Sequence, residues 1–574
     1  MKRILAILFL PCALSFAQTN INKVCVVDAL KYSTVSSAEG DCGGGGIVVI
    51  PPSYQGNENG EGSSGVIDLR RPESGRGLTP VTEFKARGDA AMRNDGSSQT
   101  GSGDFTSASA SFAAGRDEGK AIVITGAGPD NASLTTTIRT VKSPTSVELA
   151  TPAGFTARDL TFWYGTENTG AFQAAYGSGK PLFLPPGQYL MTGTVKGSTP
   201  LFLIGSGTQS VIIDDTVVFD VHGKSGHLLD NIHMQAATKV VGVPPSGFPT
   251  RYAGTPVVVD RVGQGLGYAA EDEDTDVWSK LSKVQQDQHI GPTMIFKSDG
   301  THIYRITGDF VSINLYDVQF SEVALCNFRA GRNFSGGISF WHTPNDGLAN
   351  RQDSIHDNNV RYASHNGIAW AASDKVSVRH NQTFYNGESG LKNNGSQRDH
   401  TFDTNSEVVG NDSEHNQWDG MDLSESFPHV NIYRASSVVT GNTSSYNIRT
   451  GTYVDGSGWT LTDNIFEGNG LTGMHMDVSD SVISKNTLTH NNSRRDPHHC
   501  QMLLGTSAAS KNNVIEHNRI VGSADSGPAI RWGTVSTGNK VTDNIATGGA
   551  VFAFEGPPGA AQGNSDSRGR YRDR

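Results

Sequence analysis

"DNIFEGNGLTGMHMDVS", residues 463–479, decides how this chain is read. Met474, Met476 and Val478 alternate with His475 and Asp477, the period-two pattern of a strand with one face buried. Ahead of the strand stand two asparagines five residues apart, Asn464 and Asn469, and then a turn. The same order returns in "HNQTFYNGESGLKNNGS" (380–396), in "GNTSSYNIRTGTYVDGS" (441–457) and, with an insertion, in "KNTLTHNNSRRDPHHCQMLLGT" (485–506). The first Asn falls at 381, 411, 442, 464, 486, 518 and 544, in steps of 30, 31, 22, 22, 32 and 26. A basic period near 22 residues with loop insertions marks the coil of a parallel β-helix. The asparagines are expected to take the left-handed conformation at tight bends and to stack their side chains in a hydrogen-bonded ladder.

Aligned on their strands, the coils read GISFWHT (337–343), GIAWAAS (367–373), GLKNNGS (390–396), GMDLSES (420–426), GTYVDGS (451–457), GMHMDVS (473–479), CQMLLGT (500–506), PAIRWGT (528–534) and AVFAFEG (550–556). The second and fourth letters are mostly apolar and face the interior, so the third and fifth face out. The first outward column is Ser339, Ala369, Lys392, Asp422, Tyr453, His475, Met502, Ile530 and Phe552. The second is Trp341, Ala371, Asn394, Ser424, Asp455, Asp477, Leu504, Trp532 and Phe554. Ionisable groups crowd four successive coils. Strands in a sheet lie about 4.8 Å apart, so Lys392, Asp422, Tyr453, Asp455, His475 and Asp477 are expected to share one patch. Three neighbouring carboxylates repel, which calls for a raised pKa or a cation among Asp422, Asp455 and Asp477, calcium being the natural choice.

The rest of the chain sets bounds. Its 57 acidic residues outnumber 46 basic ones, for a net charge of −11, which disfavours nucleic acid or an anionic membrane as partner. The start, with Lys2, Arg3 and the short apolar run ILAILFLPCALS, reads as a signal peptide ending at Ala17, giving a secreted or periplasmic protein. Export permits a disulfide, and Cys25 and Cys42 are close enough in sequence to pair, while Cys326 and Cys500 read as isolated core residues. The expected organisation is a signal at 1–17, an N-terminal cap and first strands at 18–96, an inserted small β module at 97–162, the start of the β-helix at 163–239, a long excursion at 240–300, site-bearing coils at 301–556 and a disordered tail at 557–574. The acidic run EDEDTDVW (271–278) reads as a solvated loop.

FKARGDA (84–90) and YGTENTGAFQAAYGSGKPLFLPPGQYLMTGTV (164–195) look like two parts of one opening motif, the second holding a short helix capped by Asn168 or Thr169. The segment GTENTGAFQAA…KPLFLPPGQYLMTG resembles the opening of the pectate-lyase-like superfamily of right-handed parallel β-helices, in the branch of phage tailspikes and related glycosidases. Members commonly carry Gly-Asp-Gly where this chain has RGDA and a long insertion. The resemblance implies an all-β, right-handed, single-stranded parallel β-helix and a broad habit of handling polysaccharides, without implying a reaction.

Three readings follow. A glycoside hydrolase stands first, with Asp477 as acid and Asp422 or Asp455 as base or nucleophile, His475 and Lys392 tuning them. A calcium-dependent polysaccharide lyase or uronate epimerase stands close behind, with Lys392, His475 or Tyr453 as base. A non-catalytic carbohydrate-binding or adhesive rod is the third. Loops 425–434 and 493–500 flank the band. Asn394, Arg494, Arg495, His498, Trp341 and Trp532 are the expected contacts for sugar, with Trp418 a further ring available for stacking; His498, His499 and Cys500 are a weak zinc set. Oligomeric state stays open between monomer and trimer.

Overall fold

The computed structural model describes residues 23–27, 37–38, 42, 46–52 and 66–70, and from 77 to 570 all but 130–132, 215–216, 224–225, 237–240, 243–256, 260–264, 267–292, 331–336, 342–349, 364–365, 372, 395–403, 425–434, 497, 506–509, 523–526, 533–535, 550–559 and 567–568. Expectations for 1–17, for the acidic run 271–278, for the loop 425–434 and for the strand at 550–556 fall outside these residues. No helix among the described residues is long and apolar enough to cross a membrane.

Each coil has three short strands, and each strand pairs in parallel with its counterpart one coil on. In one coil these are Val438–Thr440 on a first face, Thr443–Ser445 on a second and Thr452–Ser457 on a third. Their partners are Thr460–Thr462, Ile465–Glu467 and Met474–Ser479. The interior is a column of aliphatic residues: Leu391, Met421, Met474, Met502 and Ile530 are fully buried. Each such side chain contributes about 1.5–3 kcal/mol by leaving water.

The asparagines form two ladders. At the corner between the first and second faces the ladder runs from Asn358 to Asn564; Asn464 Nδ2, for example, donates to Asn486 Oδ1 at 2.9 Å and to Val439 O at 2.9 Å. The second runs from Asn386 through Asn416, Asn447, Asn469 and Asn491 to Gln501. The stacking expectation holds, but the left-handed residue is not the asparagine. It is the one before it, such as His380 (φ 52°), Gly441 (φ 65°) or Asp463 (φ 57°). The bend therefore turns one residue early, and the asparagine's side chain, not its backbone freedom, is what the corner uses.

Ahead of the coils, helix Thr169–Gly177 closes one end of the stack with Phe172, Ala175 and Tyr176 buried. Asn168 precedes the helix, but its side chain does not cap it. It accepts from Arg87 N at 2.7 Å and donates to Arg87 O and Leu190 O, stapling together the two halves of the opening motif. Between those halves, strands from Ala91–Ser98 to Ala157–Gly165 close a six-stranded antiparallel barrel around Phe105, Phe162 and Tyr164. It begins several residues before the expected start at 97.

The N-terminal strands Lys23–Val26, Gly46–Ile50 and Val66–Asp68 form a parallel leaf. Val24, Val26 and Val49 lie on Phe202, Leu228 and Tyr304 of the helix's first face, and a Cys25–Cys42 disulfide sits on the other side of the leaf. Cys326 and Cys500 are buried free thiols. In the tail expected to be disordered, Ala560–Gln562 and Ser565–Asp566 continue the coils and Asn564 continues the ladder. That asparagine, two residues beyond a short strand, is the same signal read in earlier coils.

Candidate functional site

The third face carries the ionisable band in the expected register. Lys392 pairs with Asp422, Asp422 with Tyr453, and Tyr453 with His475, while Asp455 pairs with Asp477 in the next column. The register differs beyond that point. His475 faces Leu503 and then Arg531, not Met502 and Ile530, and Trp532 shares the column of Met476 and Leu504. Gln501 occupies the corner position that Gly473 holds one coil earlier, so the strand starts one residue later than an alignment on Cys500 gives. A slip of one residue exchanges faces. Trp532's register position is thus one column away from that of Asp477, where the alignment had put it. Asn394 keeps its register position opposite Ala371.

The band is enclosed, not solvated. Lys392, Asp422 and Asp477 are buried, and Tyr453, Asp455 and His475 half-buried. Lys392 Nζ pairs with Asp422 Oδ2 and donates to Ser424 O at 3.3 Å, and Ser424 Oγ donates to Asp422 Oδ1 at 2.5 Å. An ion pair inside the wall explains how two charges tolerate burial. Tyr453 and His475 are in ring contact, centroids 4.7 Å apart. The Tyr453 hydroxyl donates to Asp477 Oδ2 at 3.4 Å, and His475 Nε2 lies 4.0 Å from the same oxygen. Burial drives the His475 pKa down to about 4 against the pull of Asp477, with His499 and Arg449 adding to the drop. The imidazole is therefore neutral at neutral pH. Asp455 holds the Trp459 indole N–H through its backbone carbonyl at 2.7 Å.

Two functional candidates, Arg449 and Asp419, were not legible from the strands because they sit in the corner segments before them. Arg449 lies over the Trp418 ring at 5.2 Å. Asp419 is buried, accepts from the Thr450 N–H at 2.9 Å and from its hydroxyl, and is pushed up by burial against the pull of Arg449. His499, not His498, is the imidazole of the insertion that reaches the centre; its Nδ1 meets Thr472 Oγ1 at 2.9 Å. The position of Arg449 and Asp419 just ahead of the strand, as in the Trp-Asp-Gly of 418–420, was the available signal.

Other expected contacts lie apart. Arg495 and His498 are exposed, and Arg494 packs against Gly470 on the corner wall. Trp341 lies five coils from Asp477, on the order of 24 Å at strand spacing. Among the described residues no three His, Cys, Asp or Glu side chains gather to hold a metal ion. The calcium set Asp422, Asp455 and Asp477 is thus not assembled, because Asp422 is committed to Lys392 in one column and the other two occupy the next; nor is the zinc set, Cys500 donating instead to Met502 O at 3.0 Å.

Several solved structures align with the chain. The Siphovirus 9NA tailspike receptor binding domain aligns with a TM-score of 0.50 and 12% identity, over 68% of this chain and 74% of its own. The Azotobacter vinelandii mannuronan C-5 epimerase AlgE6 A-module aligns at 0.43 and 14%, over 70% and 96%. The tailspike receptor-binding protein of bacteriophage Det7 aligns at 0.42 and 14%, over 66% and 72%. No curated protein matches the chain. Residues 428–564 match the family described as right handed beta helix region, and with three parallel faces stacked coil on coil the chain is a right-handed parallel β-helix protein.

Proposed function

We propose that the third face carries the catalytic centre of an exported polysaccharide-modifying enzyme that removes the proton beside a sugar carboxyl group. The observation that carries this reading is the Tyr453–His475–Asp477 trio: a neutral imidazole in contact with a phenol whose hydroxyl meets a carboxylate. A neutral imidazole accepts a proton and a phenol donates one. On a uronate residue His475 takes the C5 proton. The released electron pair forms the C4–C5 double bond as the bond to the O4 leaving group breaks, and Tyr453 protonates the departing oxygen. If the O4 bond survives and a proton returns to C5 on the opposite face, the outcome is epimerisation. This order reverses the expectation from sequence, in which hydrolysis led, because Asp422 is tied to Lys392.

One observation favours hydrolysis as the second reading. Asp455 and Asp477 are directly paired on adjacent strands, and the general strand spacing of about 4.8 Å is near the roughly 5–5.5 Å between the carboxyl groups of a retaining pair. Purified protein incubated with a panel of polysaccharides in heavy water separates the readings. Unsaturated uronate absorbance, or deuterium at C5, supports proton abstraction. New reducing ends with neither would move the assignment to hydrolysis. Sugar binding with no product in wild type, and unchanged in Asp477→Asn, would leave only a rod.

A further inference from the structure

The second face carries two columns of outward side chains. Over three coils they read Asn327 and Arg329, Asn359 and Arg361, Gln382 and Phe384. The residues between them, Phe328, Val360 and Thr383, are buried in the interior, which turns these six outward. Arg329 and Arg361 stand directly opposite each other on adjacent strands, about 4.8 Å apart by general strand spacing. Like charges so placed oppose the pairing of their strands. In a chain of net charge −11 carboxylates are plentiful enough to relieve them, yet among the described residues only Arg329 has one, Asp309 Oδ1 at 3.5 Å from its Nε. Arg361 Nη2 donates to a neutral acceptor, Asn327 Oδ1, at 3.1 Å, and its Nε is shut in with no hydrogen-bond partner among the described residues. In the amide column Asn359 Nδ2 donates to Gln382 Oε1 at 2.7 Å, while Asn359 Oδ1 is buried with no donor among the described residues. Phe384 follows Arg361 in its column, and the stacked Tyr362 and Tyr385 rings, centroids 5.5 Å apart, stand at the corner beside them.

We propose that Arg329 and Arg361 form a binding site for a carboxylated sugar, on a different face of the helix from the catalytic centre and independent of the reaction performed there. A carboxylate set between the two guanidiniums neutralises both through charge-assisted hydrogen bonds. A small turn of the Arg361 side chain gives its Nε–H an acceptor. A hydroxyl of the same sugar supplies the donor that Asn359 Oδ1 lacks. A bare anion such as sulfate meets the arginines but not the amide oxygen, so the pairing of the two columns selects a sugar acid over an inorganic ion. The site holds an acidic polysaccharide and has no part in cutting it.

The test titrates a uronic-acid tetrasaccharide into His475→Gln protein, chosen to hold turnover down, by calorimetry at low salt. Arg329→Gln with Arg361→Gln, added to that background and shown to be folded by circular dichroism and thermal midpoint, should bind one equivalent fewer. Arg361→Lys should keep the equivalent and weaken it about 10-fold, because a point charge replaces a planar fork. The carboxyl-reduced tetrasaccharide should leave the same equivalent unfilled. Arg519→Gln removes an exposed cation from the same face, where Thr487 and Ile545 are its strand neighbours, and should change nothing. Equal stoichiometry with and without the arginine pair overturns the proposal. So does an equal loss in Arg519→Gln, the mark of a general charge effect, or displacement by sulfate at the sugar's own concentration, the mark of an adventitious ion only. A third face that binds no sugar lowers every count alike and leaves the difference between variants standing.

Discussion

His475 works at a pH set by what surrounds it. Its depressed pKa of about 4 comes first from burial, with His499 and Arg449 lowering it further against the pull of Asp477. Unfolded, the ring titrates near 6.5. Its neutral form is thus favoured by folding, so its contribution to stability is complete above about pH 6.5 and is lost as pH falls through about 4. Activity that depends on the neutral ring should keep its acid limb near pH 4, far below an ordinary histidine, in a pH–rate profile. His475→Gln should lower turnover about 10²–10⁴-fold while substrate still binds, measured by kcat and by direct binding. Asp353 illustrates the opposite sign. Its Oδ1 accepts from Ser321 N at 2.8 Å, its Oδ2 is buried with no partner among the described residues, and burial raises its pKa well above normal. A carboxyl with a raised folded pKa contributes stability below its unfolded value near 3.9 and loses it as pH climbs through the folded one. Asp353→Asn should therefore raise the thermal midpoint at pH 7 and flatten its pH dependence, since an amide keeps the Oδ1 acceptor for Ser321 N and has no charge to bury.

Elements are held together chiefly at the corners. In the first ladder the Asn464 side chain accepts from Asn442 N and Nδ2 and donates to Val439 O and Asn486 Oδ1. Asn464→Ala leaves several buried groups unpaired at about 1–3 kcal/mol each. The expected outcome is a loss of roughly 3 kcal/mol in denaturant unfolding, with the neighbouring site coil distorted. The corner glycines have a different reason: a Cβ at Gly451 would stand 2.5 Å from the Gly473 carbonyl oxygen. Those two signals, Asn and Gly at fixed offsets, made the coils and the columns from Lys392 to Asp477 readable from sequence. Where Gln501 stands in for both, the register slipped by one residue and Trp532 pairs with Leu504 in the neighbouring column. Arg449 and Asp419 escaped for a related reason. Alternation marks strand residues, and these two sit in corner segments that have no period.

At the scale of the molecule, each coil touches only its neighbours, so stability accumulates along one dimension. The leaf formed by Lys23–Val26, Gly46–Ile50 and Val66–Asp68 is a side contact to that stack, distant in sequence from the site. Its disulfide closes a separation of 17 residues, which constrains the unfolded leaf by about 3 kcal/mol. Reduction should expose residues before 70 to limited proteolysis and leave the β-sheet circular dichroism and the His475-dependent activity unchanged. Activity lost with the leaf would mean the leaf supports the third face.

The barrel offers another consequence. Its first and last strands pair side by side, Ala91 against Tyr164, and the flanking residues Asp89 and Glu167 both bridge strand Gly187–Leu190. Both junctions therefore open at a single spot on the parent scaffold, and the Arg87–Asn168 clasp is made wholly outside the excursion. The excursion behaves as a cassette: a short Gly-Ser bridge across the gap should suffice to seal it, and foreign domains whose termini lie together should be accepted in its place.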